Sequence, residues 1–203
     1  MKKINLTLLL LVSQLTYAVT VEDHPLIYES YGHEYQGKYP QAIEPMTQIL
    51  LKKPDDYFVN YRLGWLFSLH QKYKNAEEHY KKAAQILPSS LEPWLALSLL
   101  SINLGEWEKA MNFSEEVMER NKDHYYGNLR YITAAIKLKK FEKALNKASS
   151  ILRSYPTDAV FLEQKAYSLE NLGKISDAKK AIMDLKVVSP QSEYVKIFIL
   201  KYK

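Results

Sequence analysis

The chain has 203 residues, 47% of them hydrophobic, enough for one ordinary domain or one short repeat array and too apolar for a disordered chain. Its 28 basic and 23 acidic residues give a formal charge of +5, but the signs are mixed. No basic run is long enough to follow a phosphate backbone, so nucleic acid is not an expected partner. The absence of cysteine excludes thiol catalysis, cysteine-ligated zinc, disulfides and lipid attachment through a cysteine.

Residues 1–18, MKKINLTLLLLVSQLTYA, open with Lys2 and Lys3, continue with an apolar stretch over 4–12 and end in Thr16-Tyr17-Ala18. This is the three-part form of a secretory signal peptide, with cleavage expected after Ala18. Retention as a membrane anchor is the alternative, but the apolar stretch is about half of the ~20 residues a spanning helix needs. The lysine-rich start is of the bacterial kind, so the expected location is the periplasm, with secretion as second choice and no membrane-spanning segment after removal. Without Lys2 and Lys3 the balance is 26 basic against 23 acidic residues, or +3. Residues 19–22 form a short leader.

From residue 23 the sequence repeats every 34 residues, over 23–56, 57–90, 91–124, 125–158 and 159–190. Helix formers dominate, apolar residues recur at i, i+3 and i+4, and no window alternates long enough for a sheet, so the fold class is all-α. The twentieth position is alanine in all five repeats: Ala42, Ala76, Ala110, Ala144 and Ala178. A small side chain there lets two helices cross closely. The seventeenth position is Tyr39, Tyr73, Trp107, Phe141 and Ile175, the fifteenth has Gly37, Gly105 and Gly173, and the thirty-second has Pro54, Pro88, Pro156 and Pro190. Glycine suits a helix C-cap and proline ends a helix. Each repeat therefore reads as two helices joined by a short turn, which in the second repeat lies around Gln71 and Lys72. Pro45 falls inside the second helix of the first repeat and is expected to kink it. Residues 191–203, with Val195, Ile197, Phe198 and Leu200 apolar, read as a C-terminal capping helix.

These columns resemble the tetratricopeptide repeat, whose signature is W-x2-L-G-x2-Y, then A-x3-F, then P, over 34 residues. The second repeat matches it as Asn60, Leu63, Gly64, Phe67, Ala76, Tyr80 and Pro88; the third supplies Trp94, Leu97 and Ala110 but has Ser98, Ser101 and Lys122 where the pattern has Gly, Tyr and Pro. The resemblance covers about residues 23–190 and implies a right-handed α-solenoid of five helical hairpins. It also implies that the first helices of the hairpins line a concave groove. The groove positions are then Tyr28, Tyr31, Glu34 and Tyr35; Phe58, Tyr61, Arg62 and Trp65; Leu95, Leu99 and Ile102; Tyr126, Arg130 and Lys137; and Glu163, Gln164, Tyr167 and Glu170. Tyrosine, tryptophan and arginine combine area with a polar tip and concentrate binding energy at interfaces. Tyr28 and Tyr61 would pack between repeats instead on a small rotation of the frame.

No catalytic, metal or cofactor motif stands out. The histidines (His24, His33, His70, His79, His124) form no HExxH, and capping or exposed roles suit them better. Neighbouring acids such as Asp55-Asp56 and Glu77-Glu78 do not face each other on a helix, so they are not acid–base dyads. The lysine and asparagine set with which relatives clamp a C-terminal carboxylate is absent; only Arg62 and Arg130 stand at such positions. The expectation is a non-enzymatic, cofactor-free scaffold or adaptor of the cell envelope that holds a partner protein or peptide on Tyr28, Tyr31, Tyr35, Phe58, Tyr61, Arg62, Trp65, Tyr126, Arg130 and Tyr167. A periplasmic accessory protein of polysaccharide export, binding an acidic glycan, is the alternative.

Overall fold

A computed structural model describes residues 18–203. The signal-peptide reading of residues 1–17 lies outside them, and Ala18 is an exposed residue at their edge. The described residues form eleven α-helices and no strand. These are α1 (His24–Tyr35), α2 (Tyr39–Lys52), α3 (Tyr57–Leu69), α4 (Tyr73–Ile86), α5 (Glu92–Asn103), α6 (Trp107–Arg120), α7 (Tyr125–Lys137), α8 (Phe141–Ile151), α9 (Ala159–Asn171), α10 (Ile175–Val188) and α11 (Glu193–Lys201). The described residues divide into two compact units, one ending at Leu100 and the other running from Ser101 to Lys203.

The turn inside each hairpin is built the same way five times. The fifteenth repeat position has a left-handed backbone in Gly37, Gln71, Gly105, Lys139 and Gly173, with φ between 57° and 72°. The next residue then donates its amide to a carbonyl five residues back: Lys38 to His33, Lys72 to Phe67, Glu106 to Ser101, Lys140 to Ala135 and Lys174 to Leu169, at 2.8–3.0 Å. That bond satisfies a carbonyl the ending helix leaves free. Glycine does this without strain, while Gln71 and Lys139 carry the steric cost of a β-carbon in that region.

Helix starts are fixed by side chains. Asp56 accepts from the Val59 amide at 2.8 Å, Asp158 from Phe161 at 3.0 Å, and His124 Nδ1 from Gly127 at 3.2 Å. Caps of this kind contribute about 1 kcal/mol each. Asp56 is thus a buried cap, and His124 has the capping role expected of it.

All five alanines of the twentieth column are buried. In the first unit Ile27, Met46, Ile49, Val59, Leu63 and Leu66 pack around Ala42. In the second, one cluster gathers Met111, Ile132, Ile151 and Phe161, and another Leu162, Leu169, Ile182 and Leu185. Each large apolar side chain removed from water contributes roughly 1.5–3 kcal/mol. α11 adds Val195 and Phe198 to the last cluster.

α2 continues from Tyr39 to Lys52 across Pro45, which is itself buried. Proline removes the bond to the carbonyl four residues back, that of Gln41. Gln41 is exposed, so water can take over that carbonyl and the helix is not interrupted. Ahead of α1, Lys53 Nζ meets Asp23 Oδ2 at 2.5 Å and the Ala18 carbonyl at 3.0 Å, which ties residues 18–23 to the end of α2. Burial would raise the Asp23 carboxyl, but the Lys53 ammonium and the Thr20 donors outweigh it and hold it below the usual range.

Candidate functional site

The aromatic set read from the sequence falls partly into each unit. In the first unit it belongs to α1 and α3. Tyr35 is 94% exposed, Tyr28 68% and Trp65 43%, and Tyr31 is also exposed. Phe58 and Tyr61 are half-buried: Phe58 packs on the first-unit core, and Tyr61 stacks on Tyr57 at 6.1 Å and leans on Tyr80 at 5.6 Å. Tyr61 is therefore mainly a packing residue, whereas Tyr28 is not.

Arg62 is only 6% exposed. Its guanidinium lies over the Tyr31 ring, 3.9 Å from the centroid, and pairs with the Glu34 carboxylate. The other oxygen of Glu34 accepts from Trp65 Nε1 at 2.6 Å. Glu34 thus joins α1 to α3 twice, and Arg62 Nε is left without a hydrogen-bond partner among the described residues. Arg62, expected among the partner-holding residues, is instead neutralised by Glu34 and covered by the Tyr31 ring. Its effect is to fix Tyr31 from beneath while Glu34 fixes the indole of Trp65. A preformed, locked aromatic surface loses less rotamer entropy when something binds to it.

In the second unit Tyr126 is exposed, standing edge-on to Tyr125, with Arg130 5.6 Å above its ring. Burial lowers the Arg130 pKa and Tyr126 opposes it. Tyr167 lies between Phe141 and Tyr194, at 6.2 and 6.0 Å, and keeps one face open. Glu170 is not a free groove carboxylate. It accepts from Tyr194 OH at 2.6 Å, Lys201 Nζ at 2.7 Å and Tyr202 OH at 3.1 Å, all from α11 or the residue after it. Burial alone would raise its pKa; these three donors bring it below the usual value.

Among the described residues no three His, Cys, Asp or Glu side chains converge as a metal site, and no helix is long and apolar enough to cross a membrane. Burial lowers the pKa of His79, whose Nδ1 lies 3.2 Å from Asn60 Oδ1, and of His124.

Residues 69–130 match the tetratricopeptide-repeat family. The TPR repeat-containing protein YsoA of Bacillus subtilis (strain 168) is 27% identical over 108 residues, which is 53% of this chain and 32% of YsoA. The chain thus spans about a third of that relative's length. Among solved structures, MamA AMB-1 superposes with a TM-score of 0.71 at 17% identity, over 85% of this chain and 94% of MamA. YrrB, described as a TPR protein with an unusual peptide-binding site, superposes with a TM-score of 0.72 at 13% identity, over 88% of this chain and 91% of YrrB. Residues 69–130 thus match the tetratricopeptide-repeat family, and the described residues on either side form helical hairpins of the same fold as these solved structures.

Proposed function

We propose that the protein is a non-enzymatic scaffold that holds a partner protein or peptide on the aromatic face of α1 and α3. The observation that carries this reading is the Tyr31–Arg62–Glu34–Trp65 assembly. An ion pair costs desolvation when it is buried, and packed apolar residues would often stabilise as well. Here the pair holds two large amphipathic rings in place at the surface, with Tyr28 and Tyr35 exposed on the same helix as Tyr31. Rigid aromatic surface of this kind is what peptide backbones and apolar side chains dock against. YrrB, of the same fold, is described as having a peptide-binding site, which supports the same use here. The signal-like residues 1–18 support a place outside the cytoplasm, in the cell envelope.

Panning a displayed peptide library against the purified chain tests the reading. Enrichment is expected on the wild type and is expected to vanish on a Tyr28→Ala, Tyr35→Ala, Trp65→Ala variant of equal helical content. These three side chains are exposed, so their truncation separates binding from folding. Equal enrichment on both proteins would remove the aromatic face from the account.

A further inference from the structure

The thirty-fourth repeat position stands just before a helix each time, and it is Asp56, Ser90, His124, Asp158 and Ser192. In four of the five the side chain offers an oxygen. Asp56, Asp158 and Ser192 accept from the amide three residues on, at 2.8, 3.0 and 3.4 Å, and the Ser90 hydroxyl accepts from the Glu92 amide at 3.3 Å. Such oxygens keep accepting at any pH above about 4. At His124 the same task falls to an imidazole nitrogen, Nδ1, which accepts from the Gly127 amide at 3.2 Å. That nitrogen accepts only while it is unprotonated, so the bond requires the neutral ring with its proton on Nε2.

Protonation would act against α7 in three ways at one place. It removes the acceptor of the Gly127 amide, and Gly127 is buried, so water reaches that amide poorly. It puts a positive charge at the positive end of the helix dipole. It also sets that charge against Arg130 of the same helix, which is the charge that acts on the ring. The neighbouring groups do not offset this. Asp123 precedes the ring in the chain, and its carbonyl accepts from Tyr155 OH at 3.3 Å. Asp158, ahead of α9, is engaged by Tyr125 OH at 3.1 Å, and Arg120 at the end of α6 is paired with Glu116 at 2.8 Å. The Tyr126 ring lies 6.5 Å from the imidazole.

We propose that His124 is a proton-operated cap: the neutral ring holds the first turn of α7 closed, and protonation in mild acid opens it, releasing Tyr125 and Tyr126. Tyr126 is exposed and carries Arg130 above its ring, while Tyr125 ties the turn to Asp158 and to Phe161 of α9. The cap therefore governs the aromatic surface of the second unit, independently of the face of α1 and α3. Burial, and after it the Arg130 charge, hold the His124 imidazole below its ordinary 6.5. With the folded pKa below the unfolded one, the cap is complete above about pH 6.5 and is lost as pH falls through the lower folded value.

Burial also lowers His79, in the first unit, so a global unfolding curve would mix the two and the readout must be local. The test is an NMR titration of the isotope-labelled full chain between about pH 7.5 and pH 5. The His124 ring and the Gly127 amide should shift with one midpoint, below 6.5. Protection of the Gly127 and Asn128 amides, referred to an unstructured chain at the same pH, should fall several-fold through that midpoint, while Phe161 under its Asp158 cap stays protected. In His124→Asp, which keeps an oxygen cap, the fold should be retained and the step at Gly127 should vanish. The proposal is overturned by a Gly127 amide that ignores the His124 midpoint, by a midpoint at or above 6.5, by protection that holds although the ring titrates, or by the same step in His124→Asp.

Discussion

Gly64 lies against the ring of Tyr80, and a β-carbon at Gly64 would stand 2.6 Å from Tyr80 Cδ1. Glycine at the eighth position and tyrosine at the twenty-fourth are thus one steric unit: the ring fills the space the missing side chain leaves. Gly64→Ala should destabilise the chain by about 1–3 kcal/mol, the usual cost of overpacking. Urea unfolding followed by circular dichroism measures this. In a Tyr80→Leu background the added methyl should cost less, and an equal cost would mean the strain lies elsewhere.

Gln71 and Lys139 have the left-handed backbone that glycine holds in the three other hairpin turns. Replacing either with glycine relieves a conformation that costs about 1–2 kcal/mol, while the freer unfolded chain takes back about 0.4–1 kcal/mol. The expected net gain is therefore between about 0 and 1.6 kcal/mol per site, seen as a rise in the unfolding midpoint. Gly173→Ala should shift the midpoint the other way.

Glu34 faces a buried arginine, so removing its charge should cost more than removing both partners. Glu34→Ala is expected to destabilise by about 3 kcal/mol, because it leaves the Arg62 charge buried and unpaired. Glu34→Ala with Arg62→Met should recover much of that loss. Trp65 fluorescence should shift in both variants, since the indole loses its acceptor. A cycle without coupling would contradict the Glu34–Arg62–Trp65 arrangement.

Glu170 gives the attachment of α11 a defined pH dependence. Its folded pKa lies below the ordinary value of 4.5, so the stabilisation is complete above that value and is lost as pH falls through the lower folded one. Asp23 acts in the same direction at the other end of the chain. Unfolding midpoints should therefore fall below about pH 4.5, and less steeply in Glu170→Gln. At neutral pH, Glu170→Gln should raise amide exchange in α11 several-fold while α7 and α8 are unaffected. Unchanged exchange in α11 would mean that Val195 and Phe198 alone hold the helix.

The hairpins were legible because one column of alanines and one of glycines report local sterics directly. The turn at Gln71 was placed correctly from its neighbours although its residue argues against a left-handed backbone. The site was less legible. Arg62 read as a ligand-facing charge, since position in a repeat says nothing of what lies across from it. Residues 31 apart turn out to meet on consecutive first helices: Glu34 with Trp65, Thr133 with Gln164, and Glu170 with Lys201. That spacing, three short of the repeat, was the available signal for Glu34 and Glu170. The exposure of Leu200 could not be read from its apolar character, because the same character serves a buried face.

The most direct measurement of the central claim is photo-crosslinking in intact cells from a probe at Tyr35, which is almost fully exposed on α1, with a second probe at Lys74 on α4 as control. Mass spectrometry should find one discrete protein adduct from position 35 and none of that protein from position 74. No protein adduct from a folded probe at position 35, or the same adducts from both positions, would contradict a partner-binding aromatic face and turn attention to a non-protein ligand such as a glycan.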